Sequence, residues 1–437
     1  MNRPSAEPRP IDIDVVAIGC GPFNLGLAAL ASHVEGPSLV VLESEAELRW
    51  HRGMMFDDAM LQVNFLADLV SLIEPRHPLS FLSYLHDNDR LYPFYIRQAF
   101  HSTRKEYEHY LRWAAAKLPS IQFSHRVEKI AWHPREERFV VHALHGARGE
   151  LRLFRARDLV LGVGTEPSMP PSLAGLPPGK VLHTADYLRS GERIDGAKHV
   201  TVVGSGQSGA EAALDLLRRN LTGGPAMSWL TRTVSFAPLD YTKLVLEMTT
   251  PAYIDHFHGL PQEKRDRLLA EQWRHYKGIS TATLELIHDA LYRRDLEEGL
   301  APVELRCGIT VEGAAPARNG GVLLSCRDRD SDRVFEHETD LVVAATGYVP
   351  RRPAFLEPME HLVRRDDKKR YIVRRDHSVE LDESVSGRVF VSNADLHSHG
   401  AAAPDLGIGA YRNAIILNTV AGRELYRLPR HTAYTTF

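Results

Sequence analysis

The chain has 437 residues, with 53 Lys+Arg against 56 Asp+Glu, a net charge of −3, 43% apolar residues and 25% charged ones. At the usual ~100–200 residues per domain this predicts two to four domains with a sizeable core, and the balanced charge gives no support to a nucleic-acid or polybasic membrane protein. Three widely spaced cysteines, Cys20, Cys307 and Cys326, exclude a disulfide framework and fit a reducing, cytoplasmic compartment. The stretch Met1 to Pro10 leads into no apolar h-region, and nowhere is there an apolar run of the ~18 residues a span needs, so the expectation is neither signal peptide nor membrane insertion.

Taken in order, Asp12–Ile18 is a β-branched run, Gly19-Cys20-Gly21 a turn, and Pro22 to Leu30 an Ala/Leu-rich helix. Leu39–Glu43 reads as a second buried strand. Asp158–Leu161 reads as another, ending in a glycine turn, and the Pro-rich stretch from Pro167 to Pro178 reads as a linker. The opening pattern then returns: strand His199–Val203, turn Gly204-Ser205-Gly206-Gln207-Ser208-Gly209, helix to Leu217, and strand Ser228–Arg232. From Ala237 to Leu300 helical spacing dominates, over Lys264–Tyr276 and Thr281–Leu296, which predicts a helical insertion in the second nucleotide-binding unit. Asp340–Ala345 is a last buried strand before the turn Thr346-Gly347-Tyr348.

A glycine turn between strand and helix lets a pyrophosphate approach the backbone, and the helix aims free N–H groups and its positive dipole end at it. Two such turns in one chain predict two dinucleotide sites. In the first, Asn24 stands where the third glycine belongs; the second is complete. An acid about 20 residues beyond the turn suits a ribose 2′-OH. Glu43 follows the first turn, whereas Arg232 follows the second, and a cation there accommodates a 2′-phosphate. The first site is therefore expected to hold FAD and the second NADPH, making the chain a flavin-dependent oxidoreductase.

Further segments carry a specific resemblance: Trp50-His51-Arg52-Gly53-Met54, Leu61-Gln62 through Ala67-Asp68-Leu69, Pro78 through Leu85, Glu106 through Trp113, Ala345-Thr346-Gly347-Tyr348 and Asn393 through Gly409. In these the chain resembles the microbial N-hydroxylating flavoprotein monooxygenases that act on lysine, ornithine or small diamines in siderophore synthesis. The resemblance runs from about Asp14 to about Tyr426. It implies an α/β fold of two Rossmann-like dinucleotide-binding domains plus a small helical substrate domain. The FAD domain is expected over 1–170 and 347–437, the NADPH domain over 171–236 and 301–346, and the substrate domain over 237–300. It implies that NADPH reduces the flavin, that O₂ adds to give a flavin hydroperoxide, and that a neutral amine takes the distal oxygen to become a hydroxylamine. It also implies a homodimer or homotetramer.

By the same resemblance, Gly19, Gly21, Pro22, Phe23, Asn24, Glu43 and Val127 belong to the FAD site. Trp50, His51, Met54 and Gln62 line the flavin and substrate cavity, and Leu406, Gly407 and Ile408 lie near the isoalloxazine. Gly204, Ser205, Gly206, Gln207, Ser208 and Arg232 belong to the NADPH site, with Thr346, Gly347 and Tyr348 in the turn beside it. Gln62, Ala67, Leu246 and Ser280 match substrate positions. Ornithine enzymes carry a Lys where this chain has Ala67, and Asn where it has Leu246 and Ser280. A buried carboxylate without a cation or donors is several kcal/mol out of balance. An aliphatic diamine such as putrescine or cadaverine is therefore expected, with L-lysine or L-ornithine as the alternative should Lys243 or Arg97 replace the missing cation. Asp68, Asp240 and Glu247 are all open as acceptors for the second amine.

Other classes fit less well. A flavoprotein disulfide reductase needs a paired CxxC-type motif, which the three isolated cysteines do not make. Flavin monooxygenases of carbonyls or xenobiotic amines share the two glycine turns but not the Trp50-His51 and Leu61–Leu69 segments. A degenerate nucleotide sensor would not keep both turns, Arg232 and the cavity segment. No HExxH or paired CxxC spacing supports a metal, and His397-Ser398-His399 is the nearest approach to one.

Overall fold

The computed structural model describes residues 8–437; the N-terminal stretch Met1–Glu7, read above as lacking a leader, lies outside the described residues. Two parallel-sheet units organise the rest. In the first, strand Ile11–Ile18 pairs in parallel with Leu39–Leu42 on one side and with Glu150–Leu161 on the other. Ile121–Gln122 extends the sheet beyond Leu39–Leu42. The long Glu150–Leu161 strand also pairs antiparallel with Arg138–His145, which pairs with His125–His133, while its final residues take the C-terminal strand Arg388–Val391 in parallel. The chain thus returns to its first sheet after leaving it for more than 200 residues.

Both faces of this sheet are covered, which is why its strands read as unbroken apolar runs rather than alternating ones. Val15, Ala17 and Val41 pack on the face carrying Leu25, Leu27 and Tyr110. Val16, Ile18, Val40 and Leu42 pack on the other, with Phe139, Phe154 and Leu159. The helices Pro22–Ala31, Arg104–Ala116 and Gly409–Ala421 cover the first face.

The second unit is a five-stranded all-parallel sheet in the order Val303–Arg306, Ala226–Leu230, His199–Val203, Leu341–Ala344, Val181–His183. An antiparallel meander, Ile309–Pro316, Val322–Asp328 and Val334–Thr339, covers one face. The helix Gln207–Asn220 and the later helix Thr281–Arg294 cover the other. The helical stretch lies between Ala226–Leu230 and Val303–Arg306, as helices Lys243–Leu246, Pro251–Gly259, Gln262–Glu271 and Thr281–Arg294 with 3₁₀ turns between. A short hairpin-like pair, Thr165–Pro167 with Tyr348–Pro350, is formed where the chain crosses between the sheets. The expected strand end at Arg232 is corrected to Leu230, and the expected linker from Pro167 holds the helical turn Pro171–Ala174.

Candidate active site

Each glycine turn has the shape a dinucleotide needs. Gly19 and Gly204 take φ of +89° and +121°, and a Cβ would meet Gly162 O at 2.5 Å or Ala345 O at 2.2 Å. Only glycine serves at such a crossing. The middle glycines face the other way: a Cβ on Gly21 or Gly206 would meet nothing within 4 Å, so the backbone is open to an approaching phosphate. These two residues begin the helices Pro22–Ala31 and Gln207–Asn220, and neither helix start is closed by a capping side chain. The first-turn N–H groups are left for an anion.

Asn24 explains how the first turn works without its third glycine. Its Nδ2 donates to Ile18 O at 3.1 Å and Gly19 O at 2.9 Å, so the side chain ties the turn to the strand. Glu43 stands one residue past Leu39–Leu42. Its Oε2 accepts from Cys20 N at 2.7 Å and its Oε1 from Glu45 N at 2.8 Å, which fixes a carboxylate at the mouth of the turn. Phe23 lies beneath the Arg412 guanidinium, 4.7 Å from the ring centre. Val127 lies on the antiparallel strand His125–His133, at a register shift.

At the second turn, Ser205 Oγ lies 3.0 Å from Thr233 Oγ1. Arg232 is exposed and makes no ion pair among the described residues. Burial, and then the neighbouring Arg232 charge, lower the pKa of Lys277. Two cations without an acid between them fit a phosphate, and Lys277 is one that sequence reasoning passed over. Thr346 Oγ1 donates to Ser168 O at 2.5 Å, and Gly347 O accepts from Ser168 N at 2.9 Å, which pins the turn beside this site.

Between the units lies a cavity of about 240 Å³. The first unit contributes Trp50, His51, Met54, Met60, Leu61, Gln62, Val63 and Arg104; the second contributes Ser208, and the crossing strand Tyr348–Pro350 contributes Tyr348. Tyr241, His275 and Tyr276 come from the helical stretch, and Ala401, Pro404, Asp405 and Leu406 from the C-terminal segment. The Trp50–Met54 segment is held tightly. His51 has a left-handed φ of 49°, and a Cβ on Gly53 would come within 1.7 Å of Ala185 O, so only glycine lets this turn rest on the second unit. Burial among the cavity walls and the Arg104 charge push the His51 imidazole well below its ordinary value, keeping it neutral.

Gln62, Gln207 and Ser280 are joined. Gln207 Oε1 accepts from Gln62 Nε2 at 3.2 Å and from Ser280 N at 2.8 Å; Gln207 Nε2 donates to Glu211 Oε1 at 2.8 Å and Thr283 Oγ1 at 3.0 Å. One side chain next to the second glycine turn therefore touches all three parts of the molecule. Arg104 adds a second tie: it donates to Glu211 at 2.8 and 2.6 Å and to Met54 O at 3.0 Å.

Several expected wall residues lie elsewhere. Leu246 is 37% exposed on its short helix and outside the cavity lining. Ser280 caps the Thr281–Arg294 helix through Thr283 N, so its hydroxyl is used locally. Ala67 is buried behind the wall, 3.8 Å from the position a Gly407 Cβ would take. Gly407 and Ile408 continue the turn that Leu406 begins at the cavity. None of the three open carboxylates lines the cavity. Asp68 accepts from Val70 N, Ser71 N, Ser71 Oγ and Phe81 N; Asp240 accepts from Thr242 N and Oγ1 on one oxygen; Glu247 is half-buried and holds Tyr434 N and Thr435 N. Asp405, Tyr241, His275, Tyr276 and Arg104 are among the cavity residues that sequence reasoning missed. His399 does meet other ligand-type groups, with His377 and Asp395 in a buried cluster whose ligand atoms lie within 4.8 Å of one another. There the Arg412 guanidinium, 3.8 Å from Asp395, already supplies positive charge.

The chain matches the family model described as L-lysine 6-monooxygenase/L-ornithine 5-monooxygenase over residues 12–350. It is 36% identical over 438 residues to the putrescine N-hydroxylase of Shewanella oneidensis, covering 100% of this chain and 86% of that protein. It is 37% identical to the putrescine N-hydroxylase of Acinetobacter baumannii, covering 97% and 93%. Among solved structures it is similar to FAD-bound DfoA, the cadaverine monooxygenase of desferrioxamine biosynthesis in Erwinia amylovora. That match has a TM-score of 0.93 and 39% identity, and covers 98% of this chain and 99% of the other. With its two dinucleotide turns and the cavity between them, the chain belongs to the L-lysine 6-monooxygenase/L-ornithine 5-monooxygenase family.

Proposed function

We propose that this chain N-hydroxylates one terminal primary amine of a small aliphatic diamine, putrescine or cadaverine, for hydroxamate siderophore synthesis. The overall reaction is R-NH₂ + O₂ + NADPH + H⁺ → R-NHOH + H₂O + NADP⁺. FAD when bound activates oxygen, with electrons from NADPH. Residues 1–170 with 347–437 serve FAD, 171–236 with 301–346 serve NADPH, and 237–300 help to close the substrate cavity.

The chain's own contribution is to bind, align and desolvate. Gly21 with the Pro22–Ala31 helix, and Gly206 with the Gln207–Asn220 helix, receive the two pyrophosphates. Glu43 faces a ribose, and Arg232 with Lys277 faces the 2′-phosphate. Gln207 joins the nicotinamide side to Gln62 at the cavity. Trp50, Tyr241, Tyr276 and Tyr348 exclude water. A free alkylamine titrates near ~10.4, and only its neutral form is a nucleophile; an aromatic, poorly solvated site favours that form at the reacting end.

The observation that carries the choice of a diamine is the charge of the cavity. Among the described residues its only Lys or Arg is Arg104, and Glu211 neutralises that guanidinium with two short hydrogen bonds. No cation is left for an α-carboxylate. A substrate panel of putrescine, cadaverine, ornithine and lysine, scored for hydroxylamine rather than NADPH loss, tests this. Turnover of ornithine or lysine with neither diamine accepted would refute it.

Self-association into a dimer or tetramer is proposed as well. Tyr92, Tyr95, Ile96 and Phe100 form an exposed apolar face that supports it, and light scattering that finds a monomer at micromolar concentration would refute it. All three cysteines are free, as a reducing compartment allows, and no described helix is long and apolar enough to cross a membrane. We take the cytoplasm as the location.

A further inference from the structure

A diamine brings a second ammonium into the cavity, and among the described residues the walls hold a single carboxylate, Asp405. Two of its neighbours fix its position. Oδ1 accepts from Gly407 N at 2.7 Å, closing the turn Leu406–Ile408; Oδ2 receives only a long hydrogen bond, 3.4 Å, from the Tyr241 hydroxyl. No basic side chain among the described residues forms an ion pair with it. A carboxylate can accept about four hydrogen bonds, and one withdrawn from water without a cation is costly. Burial accordingly raises the Asp405 pKa despite those two donors. The other acids near the cavity are either bound up or stand outside its walls. Glu211 is bound by Arg104 and Asp68 by four donors, while Asp240, whose Oδ1 alone accepts from Thr242, is not part of the lining. The rings of Tyr241, Tyr276 and Trp50 beside it present the faces and edges that an alkylammonium tolerates.

Resting on the diamine reading above, we infer that Asp405, held by Gly407 N–H and Tyr241 OH, is the specificity residue that binds the non-reacting ammonium. It sets both the requirement for a second amine and the length of the carbon chain. The reacting amine stays neutral at one end while its twin is charged at the other, because only one end finds an anion.

The test compares putrescine with n-butylamine, the same chain without the second nitrogen, by hydroxylamine formation. The wild-type holoenzyme should favour putrescine strongly in kcat/KM. Asp405→Asn keeps the acceptor for Gly407 and removes the charge. Its putrescine advantage should fall by about thirtyfold or more, the scale of losing one partner of a desolvated charge pair. Asp405→Glu reaches one methylene further and should shift the optimum toward a shorter diamine, with 1,3-diaminopropane gaining on cadaverine. It serves also if the Asn variant fails to retain FAD. An unchanged putrescine/butylamine ratio in Asp405→Asn, or an unshifted chain-length profile in Asp405→Glu, overturns the assignment. So does a wild-type enzyme that oxidises both amines equally, although N-hydroxylation then stands. A wild type that turns over only ornithine or lysine instead overturns the diamine reading itself.

Discussion

Replacing Glu211 by Gln should weaken the fold and, more tellingly, turn the cavity against its substrate. The Arg104 and Glu211 side chains are 13% and 7% exposed, and two hydrogen bonds of 2.6 and 2.8 Å join them. Gln keeps the volume and one acceptor but removes the charge and points an N–H₂ at the guanidinium. Losing one partner of a buried pair costs about 3–5 kcal/mol; Arg104 keeps Met54 O, so the lower figure applies. A sphere of 240 Å³ is about 8 Å across. An unmasked Arg104 charge at one wall would therefore repel a substrate ammonium across it by about 2 kcal/mol at an effective dielectric of ~20. That is about thirtyfold in binding at ~1.4 kcal/mol per decade. The expected result is a putrescine KM raised about thirtyfold, a thermal midpoint a few degrees lower by flavin fluorescence, and a gain in the relative rate with ornithine or lysine. Added salt should recover part of the KM loss. A KM within threefold of wild type, with an unmoved midpoint, would refute the claim that Glu211 is what neutralises Arg104.

Ala67→Lys places an ammonium behind the Leu406–Ile408 turn, where it can reach Asp405 and compete with the diamine; putrescine kcat/KM should drop at least tenfold, of order 1.4 kcal/mol, and an unaltered value would show that position 67 does not communicate with the turn. Arg232→Ala should raise the KM for NADPH about tenfold, as expected for one lost charge-assisted hydrogen bond, while leaving NADH nearly untouched; equal losses with both would place Arg232 away from the 2′-phosphate. His77 and His377 are 1% and 0% exposed, and burial depresses both to about 4 from the ordinary 6.5. Leu79 N donates to His77 Nδ1 at 3.0 Å, a bond only a neutral ring can accept. Between those two values the unfolded chain binds protons that the folded one refuses, so stability rises with pH. Each histidine's contribution, at most about 3 kcal/mol, is complete above 6.5 and is lost as the pH falls toward 4. The thermal midpoint measured at pH 7, 6, 5 and 4 should fall progressively, and a flat profile would contradict the burial argument.

The parallel strands were readable because both of their faces are covered: Val15 and Ala17 pack one way, Val16 and Ile18 the other, so the run contains no polar break. The glycine turns were readable because a positive φ or a 2.5 Å approach leaves no other residue possible at Gly19 and Gly204. The antiparallel meander from Ile309 to Thr339 escaped notice. Val334–Thr339 is half-exposed and rich in charge, and Ile309–Pro316 is largely exposed and ends in Gly313-Ala314-Ala315-Pro316, so both resemble solvated loop beside the better-buried Val322–Asp328. The end of Ala226–Leu230 was misjudged by two residues because Thr231 is buried like Leu230, is compatible with a strand, and still bonds Arg306 O and Ile309 N through its backbone just past the regular ladder.

The cavity divides along a different line. Trp50, His51, Met54 and Gln62 were identified because they sit in two nearby segments, Trp50–Met54 and Leu61–Leu69, that resemble a family pattern. Asp405 and Tyr241 are 164 residues apart, and nothing local to either marks the meeting. Composition placed Asp68, Asp240 and Glu247 on an equal footing as ammonium acceptors, since all are acids within suggestive neighbourhoods. What separates them is placement together with spare capacity. Asp68 has four donors, one of them the first N–H of the helix Phe81–Asp87; Asp240 turns its own loop outside the cavity lining; and Glu247 ties down the C-terminal residues. A carboxylate with every lone pair engaged is structural wherever it lies, because binding a ligand would first cost it those bonds. Among the described residues Asp405 alone faces the cavity with one firm donor, one distant one and no cation. That deficit is a three-dimensional quantity, and it is what turns an acid in a family segment into a candidate for choosing the substrate.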